Sequence, residues 1–132
     1  MLYDSLHLAV AIARPADEVY EFVRDPARMP QWAAGLSGSM EQIEGEWWAE
    51  SPMGRVKVEF VPTNEFGVAD HTVTLPDGTA QLNPLRVLAN GQGSEVVFTL
   101  FRQPGVSEQQ FSQDSEMVRS DLNRLKRILE SG

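Results

Sequence analysis

The stretch "FGVADHTVTLPDG", Phe66 to Gly78, sets Asp70 beside His71, one of two histidines in the chain. Adjacent Asp and His could form an acid/base pair, because an imidazole titrates near neutral pH and a carboxylate can orient it. The same stretch alternates as a β-strand, however, and neighbouring strand residues project to opposite faces. Asp70 and His71 therefore share a site only if a bulge intervenes. What His71 meets depends on the strands that pair with it.

Turn chemistry supplies that pairing, since residues opposite one another share a face. With "SPMG" closing a hairpin, Glu50 opposes Arg55 and Trp48 meets Lys57, while Trp47 and Ala49 meet Val58 and Val56 on the other face. Across "PTNEF" the set Val56, Val58 and Phe60 matches Gly67, Ala69 and His71, with Val73 and Leu75 on the same side. Across "PDG", Leu75 opposes Thr79, Val73 opposes Gln81 and His71 opposes Asn83. The "NGQG" turn then brings Leu85 and Val87 beside Phe98 and Val96. The hairpins agree on one inner face that carries His71, Asn83 and Gln81 among Trp47, Val58, Phe60, Val73, Leu85 and Phe98. Asp70 is expected on the outer face near Val68, Thr72 and Arg86, as a solvated residue or a weak surface ion pair.

Two roles for His71 follow. It is either a half-buried histidine hydrogen-bonded to Asn83 or to backbone, or one of the few polar groups on an otherwise apolar pocket wall. Two histidines, of which His7 is expected to point outward, fall short of a zinc ligand set, and the chain has no cysteine. No metal and no cofactor are expected. The "NGQG" glycines read as a turn, because no helix follows to cradle a phosphate. No Gly-x-Ser-x-Gly, Walker-type or His-Glu-x-x-His motif is present.

The elements around these strands are legible too. Leu6, Leu8, Val10 and Ile12 alternate as a first strand, from about Ser5 to Ala13. In "RPADEVYEFVRDP" the period changes, with Ala16, Val19, Phe22 and Val23 on one helical face, Pro15 suited to the first turn, and Asp17 and Glu18 at the positive end of the dipole. Asp25-Pro26 repeats the start signal for a second short helix, whose stripe is Met29, Trp32, Ala33 and Leu36. Tyr20 on the first helix is a candidate hydroxyl near a cavity mouth, and Trp32 a candidate wall. From about Ser37 to Arg102 six strands follow in meander order. Phe111, Val118, Leu122, Leu125 and Leu129 then form the stripe of a C-terminal helix of about 20 residues, edged by Asp121, Lys126 and Arg127. The order is β-α-α-β6-α. An antiparallel sheet must cover its apolar face, and the last helix is the large cover available; Val118 and Leu122 join the candidate lining.

At 132 residues the chain reads as one domain, 1–132, long enough to bury a core. Lys and Arg number 11 against 19 Asp and Glu, a net charge of -8, so a phosphate backbone or an anionic membrane surface repels most of the molecule. Nucleic acid is not expected as a partner, and no run approaches the roughly 18 apolar residues of a membrane span. The first residues lack a basic segment and a cleavage site, so a mature, cytoplasmic sequence is expected.

The order β-α-α-β6-α, with "ARPADEVYEFVRDPARMPQW" after the first strand, the hairpin region "MGRVKVEFVPTNEFGVADH" and "DLNRLKRILE" at the end, resembles the START, birch-pollen-allergen and polyketide-cyclase superfamily, SRPBCC. The helix pair "VYEFVRDPARMPQW" is the most specific part; the hairpins are generic. The resemblance implies an α+β helix-grip fold, a curved antiparallel sheet around a long C-terminal helix with a hydrophobic cavity between them. It implies activities that differ between branches, including lipid or hormone carriage, polyketide cyclisation or dehydration, quinone-related chaperoning and co-chaperone work, and no shared catalytic residues. The Rieske cluster ligands of ring-hydroxylating relatives are absent.

The expectation is a protein that holds a small apolar or aromatic molecule, lipid, quinone or polyketide-like, and more readily a binder than an enzyme. A cyclase or dehydratase with His71 as general base and Asn83 or Tyr20 polarising a carbonyl is the alternative. A protein-interaction or co-chaperone module using Trp48 and the acidic surface is a third. Monomer and homodimer are both open.

Overall fold

The computed structural model describes residues 1–131; Gly132, the last residue of the expected domain, lies outside them. β1 (Ser5–Ile12) leads into α1 (Ala16–Val23), a 3-10 turn at Pro26–Arg28 and the single-turn α2 (Met29–Trp32). Asp25 starts the turn as its spacing predicts, accepting the Ala27 N–H at 3.0 Å through Oδ1. Strands β2 (Ser37–Ile43), β3 (Glu46–Ser51), β4 (Gly54–Phe60), β5 (His71–Thr74), β6 (Ala80–Asn83), β7 (Leu85–Asn90) and β8 (Gly93–Phe101) precede α3 (Glu108–Ser131). The result is a curved antiparallel sheet with one long C-terminal helix, a helix-grip α+β fold.

The registers expected at "SPMG", "PDG" and "NGQG" hold residue by residue, whereas across "PTNEF" only His71 of the set Gly67, Ala69 and His71 pairs with β4, Gly67 and Ala69 lying against Val87 and Leu85 instead. Glu50 opposes Arg55, Trp48 opposes Lys57 and Trp47 opposes Val58; Phe60 opposes His71 and Val58 opposes Val73. His71 opposes Asn83 and Val73 opposes Gln81, and Leu85 and Val87 oppose Phe98 and Val96.

One strand departs from expectation. The fifth of the six is divided at Pro84 into β6 and β7, and the ladder separates into β1-β8-β7 and β2-β3-β4-β5-β6. Proline has no N–H to give to a ladder. The register nevertheless passes through unchanged, because Val68 bridges Arg86 just as His71 opposes Asn83. Segment 67–69 spans the break, with the Ala69 N–H donating to Leu85 O at 2.8 Å and the Val87 N–H donating to Gly67 O at 2.9 Å.

Asp70 completes this junction, which corrects the expectation of a solvated residue or a weak surface pair. Its Oδ1 accepts the Leu85 N–H at 2.8 Å, and its two oxygens take Arg86 Nε and Nη2, each at 2.8 Å. Its side chain is only 13 % exposed. The Arg86 guanidinium, with the Leu85 N–H, holds the Asp70 carboxyl below its ordinary range.

The core lies between the sheet's concave face and the helices, with Val19, Val23, Leu85, Val96 and Leu125 fully buried. Polar ties seat α3 along its length. Lys126 Nζ donates to Ala11 O at 2.7 Å and Glu130 Oε2 accepts the Ala13 N–H at 2.8 Å, which fixes the helix to the end of β1. One turn earlier, Arg124 Nη1 donates to Trp32 O at 2.8 Å and Asp121 Oδ1 accepts the Ala34 N–H at 3.0 Å, which fixes it to α2. No helix among the described residues is long and apolar enough to cross a membrane.

Candidate functional site

Between the sheet, α2 and α3 lies a cavity of about 160 Å³. Strands β4 to β6 and β8 contribute Val58, His71, Val73, Asn83 and Phe98. The helix pair supplies Met29 and Trp32, the turn after it Ala33, Gly35 and Leu36, and α3 supplies Met117, Val118, Asp121 and Leu122. Hydrocarbon and aromatic carbon dominate this lining, with His71, Asn83, Asp121 and the Trp32 indole as its polar exceptions.

His71 is 2 % exposed. Its Nδ1 lies 3.2 Å from Ala69 O, so Nδ1 carries the proton and Nε2 is left as the ring's acceptor. The bond goes to backbone; Asn83 sits opposite in register without taking it. Phe60 stacks on the imidazole with ring centroids 4.7 Å apart, and Phe98 meets its edge at 6.5 Å. Burial among these rings pushes the imidazole pKa below its ordinary 6.5, outweighing the Ala69 carbonyl and the Asp70 charge. His71 is therefore neutral at pH 7.

This buried imidazole makes stability depend on pH. Because the folded-state pKa is depressed, the unfolded chain takes the proton first on acidification; the stabilisation is complete above 6.5 and is lost as pH falls through the folded value. Urea unfolding from pH about 7 down to about 5 is expected to show His71→Gln losing less stability than the wild type. Parallel curves for the two proteins would show that His71 is not the group responsible.

Asp121 reaches the cavity from α3 with a side chain 13 % exposed. Burial pushes its carboxyl above the ordinary range, while the Ala34 N–H and Arg124 oppose that shift. Its chemical role is to close the wall by joining α3 to the turn after α2.

Of the residues expected to line a site, the cavity brings together Trp32, Val58, His71, Val73, Asn83, Phe98, Val118 and Leu122. The other five lie elsewhere. Trp47 and Phe60 line a neighbouring, more polar depression of about 280 Å³ with Arg24, Glu46, Lys57 and Glu59. Leu85 is wholly buried in the core. Gln81 opposes Val73 on β6 but is not in the lining. Tyr20 is buried, and its hydroxyl accepts the Asn64 N–H at 3.0 Å, so it holds the loop before β5. Trp48 is half-buried, with the Arg55 guanidinium 5.5 Å from its ring.

Met29, Ala33, Gly35, Leu36, Met117 and Asp121 complete the lining without having been named as lining residues. Met29, Ala33 and Leu36 were visible as the stripe of the second helix, and Asp121 as an edge residue of the last one. What places them on the cavity is the docking of α2 against α3.

No family model matches the chain. No curated protein matches it either. Among solved structures it is similar to a START superfamily protein from Mycobacterium smegmatis, at 13 % identity and TM-score 0.68, covering 96 % of this chain and 97 % of that one. It is similar to the di-domain ARO/CYC BexL at 17 % identity and TM-score 0.69, over 96 % of this chain and 46 % of that one. A protein of the dynemicin biosynthetic locus matches at 21 % identity and TM-score 0.72, over 98 % of this chain and 48 % of that one, so this chain spans about half its length. Together with the curved sheet, the long terminal helix and the cavity between them, these likenesses show that the chain has the START-like helix-grip fold.

Proposed function

We propose that the protein binds a small, largely apolar molecule, aromatic or lipid-like, in the cavity between the sheet and α3. The observation that carries this reading is the lining itself, where hydrocarbon walls meet a few polar groups. The volume limits the guest. Apolar cavities of roughly 150 Å³ hold benzene, and ordinary ligand pockets begin near 300 Å³, so one or two rings or a short chain fit without repacking. Titration with a panel of one- and two-ring aromatics, short fatty acids and quinones, read by Trp32 emission, is expected to saturate. Val118→Phe, which fills the cavity from a half-buried position on α3, is expected to weaken binding by about tenfold or more, in line with the strain of overpacking. Equal affinity in the filled variant would remove the cavity as the binding site.

One observation favours a second reading, a cyclase or dehydratase. With Nδ1 held by Ala69 O, His71 offers Nε2 as a base in a largely apolar cavity, with Asn83 opposite; such proton transfer contributes about 10²–10⁴-fold. Retained turnover of an aromatic ketone by His71→Ala would exclude the base role.

A further inference from the structure

Two polar groups on the cavity wall have no partner in the protein. His71 spends Nδ1 on Ala69 O, and among the described residues no donor reaches its Nε2. The Asn83 amide likewise bonds to no group among the described residues. Neither group is sealed in: the buried side-chain nitrogens without both a partner and accessible surface are Arg24 Nε and Trp32 Nε1. His71 is 2 % exposed and borders the cavity, so the surface left to Nε2 opens there. Asn83 borders the same cavity from a half-buried position.

The sheet register brings the two together. His71 on β5 and Asn83 on β6 are direct partners and share the inner face, which sets their Cβ atoms about 5 Å apart. A single ligand atom can therefore meet both. The neutral imidazole offers an acceptor at Nε2, and the amide offers donors and an acceptor. A hydroxyl fits this pair, because it donates to Nε2 while accepting from the Asn83 N–H; a carbonyl accepts from Asn83 and leaves Nε2 unmet. Asp121, the carboxylate of the wall, is already held by the Ala34 N–H and Arg124. From this we infer that His71 Nε2 and the Asn83 amide together read a hydroxyl group, so that the ligand is an alcohol or phenol on an apolar body. This inference rests on the binding reading and narrows it: the site selects the hydroxylated molecule over the ketone and the hydrocarbon of the same shape.

1-Phenylethanol, acetophenone and ethylbenzene test it, since they share one skeleton and differ at one carbon, which carries a hydroxyl, a carbonyl or hydrogen alone. In the ¹⁵N-histidine-labelled full chain, the ring nitrogens of His71 are told from those of His7 by their loss in His71→Phe. The expected result is a saturable upfield movement of the unprotonated Nε2 with 1-phenylethanol and none with the other two. In Asn83→Leu, which leaves His71 in place, affinity for 1-phenylethanol is expected to fall about fivefold while affinity for ethylbenzene changes less than about twofold. 1-Phenylethanol that perturbs the methyls of Val73, Val118 and Leu122 but leaves His71 Nε2 in place, or that binds Asn83→Leu with unchanged affinity, would overturn the inference and leave the binding reading standing. Failure of all three compounds to perturb those methyls would overturn both.

Discussion

Gly67→Ala is expected to destabilise the protein by about 3 kcal/mol or more, among the largest effects of any single methyl addition in this fold. Gly67 sits at φ +73°, where an L side chain is strained, and a Cβ built there would lie 2.2 Å from the Val87 carbonyl oxygen. The close approach has a purpose. Gly67 O accepts the Val87 N–H, and the residues that follow carry the strand across the Pro84 break to His71. The neighbouring backbone cannot step aside without giving up that bond. Urea unfolding of Gly67→Ala should therefore show a much lower midpoint at an unchanged slope, whereas Gly78→Ala, at φ +91° with nothing within 4 Å of the added Cβ, meets only the backbone term. Equal losses at the two positions would show that the approach to Val87 contributes nothing.

Asp70→Ala is expected to cost about 2–3 kcal/mol, and Asp70→Asn about 1 kcal/mol. The alanine removes the acceptor of the Leu85 N–H, on a residue with no exposure, and leaves Arg86 unpaired. The asparagine retains an acceptor oxygen for Leu85 and loses only the charge that Arg86 shares, and Arg86 is itself 48 % exposed. Because the Asp70 pKa is held below its ordinary 3.8, its contribution is complete above 3.8 and is lost as pH falls through the lowered value. Denaturation curves of the two variants at neutral pH separate the backbone cap from the ion pair. Identical losses would contradict the assignment of the larger share to Leu85.

These residues show what local pattern conveys and what it omits. Alternation sends Asp70 and His71 to opposite faces, and turn spacing puts His71 opposite Asn83, because both follow from strand geometry within a few residues. The break at Pro84 was encoded as a missing donor, but its bridging depends on segment 67–69 coming back to β7. Face is also not place. Trp47 and Phe60 share the inner face with His71 yet line the neighbouring depression, which also takes in Glu46, Lys57 and Glu59 from the other face of the same strands. Tyr20 finds its partner in the Asn64 backbone, a contact between segments far apart in the chain. Asp121 reads as the rim of an amphipathic stripe until α2 docks beside it.

The helix-grip fold leaves function to the lining of its cavity. In this chain that lining is a neutral imidazole, an amide, a clamped carboxylate and an indole ring set in hydrocarbon. Intermolecular nuclear Overhauser effects in the methyl-labelled protein with saturating acetophenone test the central claim most directly. The account predicts cross-peaks from the ligand ring to the methyls of Val58, Val73, Val118 and Leu122; cross-peaks confined to Val61 or to other methyls outside the cavity lining would contradict it.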